Sequence, residues 1–165
     1  MNTAPPSLTV APLAPGDLDR FADMVVGLYT DDPGPVEMTW ARARAQAEAM
    51  LARPLHVWPM VARSEGAIVG YAVVVPFYSN EFGGEIAILD ELYVSPEARD
   101  RGVGGAIVEQ LKARAAERGA PRIELLVNHK NARVVPFYER HGFAVLSRWV
   151  LSQELAPGGG DQETR

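Results

Sequence analysis

Gly102, Gly104 and Gly105 fall within four residues, at the point where an apolar strand gives way to a helix. Glycine costs about 1 kcal/mol relative to alanine inside a helix, so three at one helix start demand a reason. A tight strand-to-helix turn is one. A ligand that the backbone must approach closely, with no Cβ in the way, is another. A helix N-terminus presents N–H groups without partners and a partial positive charge, which suits phosphate. Arg99 and Arg101 flank the loop and add charge-assisted donors. The loop is not a P-loop, because no Gly-Lys-Ser/Thr closes it, and Gly-x-Gly-x-x-Gly of dinucleotide sites is absent.

The periodicity around this loop predicts an α/β or α+β domain with a mixed sheet. Leu8–Leu13 reads as a short strand, 17–29 as an amphipathic helix on Leu18, Phe21, Val25 and Leu28, and Thr39 as the cap of a second helix through about Ala52. His56–Val61 and Ala67–Tyr78 read as a hairpin closed at Ser64-Glu65-Gly66, and Glu85–Val94 as the next strand. Gly102–Arg118 is a helix stopped by Gly119 and Pro121, followed by a strand over Arg122–Val127 and a helix over Asn131–His141. Phe143–Leu155 alternates again and reads as a last strand. The length of 165 residues fits one domain over 1–155. Pro157 and Gly158–Gly160 open a tail, 156–165, expected to be disordered.

Several classes of function are excluded by what the sequence lacks. There is no cysteine, hence no disulfide scaffold, thiol nucleophile or cysteine zinc site. His56, His129 and His141 show no metal-ligand spacing, so no metal is expected. No apolar run reaches the roughly 18 residues of a membrane span, and residues 1–9 carry no signal-peptide pattern, so a cytoplasmic protein without membrane contact is expected. Charge is uneven. Residues 1–98 carry 5 Lys/Arg against 13 Asp/Glu, while residues 99–148 carry 10 against 5. That split suits a cationic partner and a polyanionic one, although solvated faces carry charge anyway. An overall net charge of −5 argues against nucleic-acid binding.

Two blocks resemble the GNAT superfamily of N-acetyltransferases. Arg99-Asp100-Arg101-Gly102-Val103-Gly104 matches its Arg/Gln-x-x-Gly-x-Gly/Ala signature, following a strand, Leu89–Val94, that matches the family's fourth. Asn131–Phe143, with Phe137-Tyr138-Glu139 and Gly142-Phe143, is similar to the family's Asn…Phe-Tyr-Glu…Gly-Phe segment. The resemblance covers about residues 8–155. It implies the GNAT acyl-CoA N-acyltransferase fold, a mixed sheet of about six to seven strands flanked by about four helices. It implies an acetyl-CoA-dependent N-acetyltransferase acting on a small amine or amino group. The loop amides of Arg101, Gly102, Val103, Gly104 and Gly105, with Arg99, would hold the pyrophosphate of coenzyme A. The backbone of Leu92, Tyr93 and Val94 would pair with its pantetheine arm, and Asn131 would contact that arm. Tyr138 would stand near the sulfur as general acid. Pro136 departs from the pattern, because it removes a backbone donor within the last helix. Dimerisation is common for this fold, with Phe143–Leu155 a candidate swapped or edge strand.

Acetyl transfer to an amine needs a base to take the ammonium's proton and an acid to protonate the departing thiolate. A tyrosine hydroxyl has the reach to donate, which again singles out Tyr138. Asp90 and Glu91 are adjacent on an apolar strand, an expensive place for carboxylates without partners. The stretch Leu89–Val94 resembles spermidine/spermine acetyltransferase-like members, and by that register Asp90 takes the base position and Glu91 the neighbouring one. Tyr78, Asn80 and Glu81 in the loop after the third strand could recognise an amine by cation–π and ionic contact, or merely pack a hairpin. Tyr29, with Asp31, Asp32, Glu37 and Trp40, lies where the resemblance implies the acceptor wall. A non-catalytic acyl-CoA-binding module, a protein N-acetyltransferase and an enzyme acetylating charged tRNA are the competing readings.

Overall fold

The computed structural model describes residues 8–155. Five strands form one sheet: β1 (Leu8–Pro12), β2 (Trp58–Ser64), β3 (Ala67–Ser79), β4 (Gly84–Val94) and β5 (Ile123–Leu125), side by side in chain order. Four α-helices accompany them: α1 (Leu18–Asp31), α2 (Trp40–Leu51), α3 (Val103–Glu117) and α4 (Val135–Arg140). β1 to β4 pair antiparallel, and β5 lies parallel to β4 because α3 carries the chain back between them. The β2–β3 turn forms as its residues demand, with Glu65 and Gly66 at φ +52° and +83°. Thr39 caps α2, its hydroxyl oxygen accepting from the Arg42 N–H at 3.3 Å.

Strand alternation builds two cores, one on each face of the sheet. Met60, Ala62, Ala72, Val74 and Leu89 face α3 through Val103, Ile107, Leu111 and Ala115. Val61, Tyr71, Val73 and Tyr93 face Phe21, Met24 and Val25 of α1 and Ala43 and Ala47 of α2. A β-bulge interrupts this alternation. Val73 pairs with Glu91 and Val74 with Leu89, so Asp90 is the extra residue on β4. The bulge reverses the phase of the strand. Leu89 packs in the α3-side core, yet Glu91 points with Tyr93 toward α1.

Gly70 sits where β3 passes closest to β4 and α3. A Cβ there would lie 2.7 Å from the Tyr93 carbonyl oxygen and 3.1 Å from Ile107 Cδ1. Gly70→Ala is therefore expected to cost about 1–3 kcal/mol through overpacking. Chemical denaturation checks this, and an unchanged midpoint would mean that the sheet and α3 yield freely here.

Three expectations need correction. The sheet has five strands among the described residues, not six to seven. Phe143–Leu155 forms no strand, although its apolar alternation is that of one. A cleft of about 1210 Å³ separates residues 143–150 from β5, and a strand without a neighbour has no ladder to join. Trp149 and Leu151 are left 89 % and 93 % exposed. The segment 131–141 is not one helix either. A 3-10 turn covers His129–Val134, with Asn131 at non-helical φ −107° and ψ 25°, and α4 starts at Val135. Pro136 is the reason, since proline suits the first turn of a helix and not its interior. The tail expected at 156–165 lies outside the described residues. Among the described residues no helix is long and apolar enough to cross a membrane.

Candidate active site

β4 and β5 pair only from Ala87 to Leu89 opposite Ile123 to Leu125. Among the described residues, the β5-side edge of β4 beyond the bulge, including Leu92, Tyr93 and Val94, has no strand partner. At its end the chain passes through Arg99 and Arg101 into α3. Gly102 caps this helix in the left-handed region, at φ +76°, and no atom lies within 4 Å of where its Cβ would be. Val103, Gly104 and Gly105 follow in the first turn, where main-chain N–H groups lack helical acceptors.

The glycines turn out to serve different ends. A Cβ on Gly105 would come within 2.8 Å of the His141 ring, and one on Gly104 within 3.4 Å of Phe137. Packing of His141, at the end of α4, on the start of α3 therefore accounts for Gly105, whereas a methyl on Gly104 would meet Phe137 only at ordinary contact distance. Only Gly102 answers to the backbone turn itself.

Glu91 is the most constrained carboxylate of the site. Tyr71 donates its hydroxyl to Glu91 Oε2 at 2.7 Å, and Tyr29 donates to Oε1 at 3.0 Å. Burial pushes the Glu91 pKa above the usual carboxylate value, the two hydroxyls hold it down, and Asp90 adds to the rise. Asp90 itself is exposed. Tyr29 also lines a cavity of about 240 Å³ with Val26, Val36, Glu37 and Met38. Burial first, then the charge of Glu91, raise the Tyr29 phenol to about 12.

The residues around the cleft are tied together by the end of α1. Arg99 donates to the Val94 carbonyl at 2.9 Å and to Asp31 at 2.7 Å, and its guanidinium lies 5.2 Å from the Tyr93 ring centre. Asn131 Nδ2 donates to Asp32 at 3.2 Å. Tyr138 on α4 packs edge-on to Phe137 and Phe143 at 5.0 and 5.6 Å between centres, and it joins the α3-side core. Burial raises its phenol above the ordinary value, so it holds its proton at neutral pH.

Tyr78, Asn80 and Glu81 are not brought alongside Glu91. They stand at the far tip of the β3–β4 hairpin, where Tyr78 pairs with Glu85, while Glu91 pairs with Val73. Tyr78 is five steps along the strand from Val73, roughly 17 Å. Glu81 instead pairs with Arg148 at 3.2 Å. The sequence reading missed Tyr71. Its one signal was a hydroxyl-bearing residue inside an otherwise apolar strand. Among the described residues no three His, Asp or Glu side chains converge to hold a metal.

The family model for the acetyltransferase (GNAT) family matches residues 22–143. An uncharacterized N-acetyltransferase, YhfO of Bacillus subtilis, is 31% identical over 84 residues, 51% of this chain and 56% of that protein. The chain thus spans about half the length of the curated relatives it matches. A possible acetyltransferase from Clostridium difficile 630 superimposes with a TM-score of 0.83 at 16% identity, over 91% of this chain and 99% of that one. An aminoglycoside N-acetyltransferase, AAC(6')-Iy, solved in complex with CoA, gives 0.75 at 15% identity, over 94% and 99%. With a family model covering more than two-thirds of its residues and the fold shared along nearly its whole length, this chain belongs to the acetyltransferase (GNAT) family.

Proposed function

We propose that the protein is an acetyl-CoA-dependent N-acetyltransferase whose acceptor is a small cationic amine. The observation that carries this reading is the parting of β4 from β5 after Leu89. Among the described residues it leaves the β5-side edge of Leu92–Val94 without a strand partner, beside the N-terminal amides of α3, while the other edge pairs with β3. Those two features fit the amide-bearing arm and the phosphates of acetyl-CoA respectively. Arg99 and Arg101 supply charge for the phosphates. Acetyl-CoA brings the activated thioester; the chain's own residues bind it, orient the amine and move two protons. Glu91 is the base, since it is the carboxylate linked through Tyr29 to the cavity, whereas Asp90 is exposed at the bulge. Tyr138 is the acid that protonates the leaving sulfur.

Arg99 and Asn131 hold Asp31 and Asp32, so binding of the coenzyme exchanges those contacts for its own. Of the acids at the acceptor wall, Glu37 lines the cavity beside Tyr29. Together with Asp90 and Glu91 it makes a field that concentrates cations. A thiol-release assay over an amine panel tests the reading. The expected outcome is higher kcat/KM for a cationic acceptor than for a matched anionic one. The preference should shrink as salt rises, since exposed charges are screened over about 8–10 Å at 0.1–0.15 M. A preference for the anionic member, or no salt effect, removes electrostatics as the basis of selectivity. No thiol release with any amine removes the enzyme reading itself.

A further inference from the structure

We infer that Glu91 takes the acceptor's proton through the hydroxyl of Tyr29, and that Tyr71 is the positioning residue that holds Glu91 in place for it. The inference rests on reading the site as an acetyltransferase's. Its basis is a division of contacts. Tyr29 lines the cavity and Glu91 does not. Seating the amine in that cavity puts it beside Tyr29, with the carboxylate behind that side chain, 3.0 Å from Tyr29 Oη. The second carboxylate oxygen is fixed from the other side by Tyr71 at 2.7 Å. Tyr71 is 0% exposed, with its ring 4.6 Å from that of Phe21 and 6.1 Å from that of Tyr93, so it has no room to swing away.

The step balances without any further reactant. An N–H bond of the ammonium breaks and its proton goes to Tyr29 Oη. The proton already on Tyr29 passes to Glu91 Oε1. The amine keeps its electron pair for attack on the thioester, Tyr29 is again a neutral phenol, and Glu91 is a neutral acid. Tyr29 suits this role because it stays protonated throughout: burial and the neighbouring carboxylate hold its phenol near 12. The charged and titratable groups around the pair are Tyr71 on β3, Asp90 beside Glu91 on β4, Arg42 on α2 acting on Tyr29, and Tyr93 acting on Tyr71. Asp90 favours the protonated acid, the two hydroxyls favour the carboxylate, and Arg42 opposes the rise at Tyr29.

The test compares wild type, Tyr29→Phe and Tyr71→Phe by two readouts. One is the titration of the Glu91 carboxyl carbon by NMR, and the other is kcat/KM against pH over the amine panel. Each hydroxyl favours the carboxylate, so losing either should move the Glu91 titration upward. In Tyr71→Phe the acid limb of kcat/KM should move up with it, and the alkaline plateau should fall about tenfold, less than in Tyr29→Phe, because Glu91 is still present but no longer held. In Tyr29→Phe kcat/KM should fall about 100-fold or more at every pH, with the KM for acetyl-CoA unchanged. A Tyr29→Phe plateau within about threefold of wild type overturns the relay. An unmoved Glu91 titration in Tyr71→Phe overturns the positioning role. Should Tyr71→Phe fail to fold, the titration in Tyr29→Phe decides whether the hydroxyls hold Glu91 at all. An active wild type with unchanged variants retires this inference alone. A wild type that acetylates no amine retires the enzyme reading and the relay together.

Discussion

Replacing Tyr138 with Phe is expected to lower turnover about 10²–10⁴-fold, the usual worth of a positioned proton donor, while acetyl-CoA affinity stays as it was. The substitution isolates the hydroxyl. The ring sits edge-on between Phe137 and Phe143 and packs on the core beneath α3, contacts that a Phe ring keeps. The melting temperature should therefore change little. Burial raises the phenol, so the proton is in place across the neutral range and the donor is not lost to titration there. Single-turnover kinetics with a good amine, alongside calorimetry with acetyl-CoA, separate the chemical step from binding. Turnover within about threefold of wild type would mean that the sulfur leaves without help from Tyr138.

Local chemistry made much of the fold legible. The left-handed pair at Glu65 and Gly66, the Thr39 cap and the Gly119 stop each act within a few residues, so the strand and helix order from β1 to α4 could be read before the structure. What could not be read depends on partners distant in sequence. The bulge at Asp90 is set by the register against β3, and it alone decides that Glu91 faces α1. The contact of Tyr71 with Glu91 is hidden inside an apolar run, because only the neighbouring strand brings a carboxylate to its hydroxyl. Phe143–Leu155 carries the right alternation, but a strand exists only when a neighbour supplies the ladder. The need for Gly105 is not legible in the glycine loop itself, since it comes from His141, over 30 residues on.

Glu91→Gln is expected to separate function from stability. Without a carboxylate to receive the proton, turnover should fall about 10²–10⁴-fold. The fold should not suffer. Burial raises the Glu91 pKa in the folded state even with two hydroxyls donating to it. A carboxyl with a raised folded pKa binds its proton more tightly folded than unfolded. Its stabilising contribution is thus complete below the unfolded value, about 4.3, and is lost as pH rises through the folded value. At neutral and alkaline pH the ionised side chain is a cost that the uncharged amide does not carry. The melting temperature of Glu91→Gln should accordingly equal or exceed that of wild type at pH 8. Any excess should narrow as pH falls and wild-type Glu91 takes up its proton. A variant that melts lower than wild type at pH 8 yet keeps its turnover would make Glu91 a structural anchor for Tyr29 and Tyr71 rather than the base.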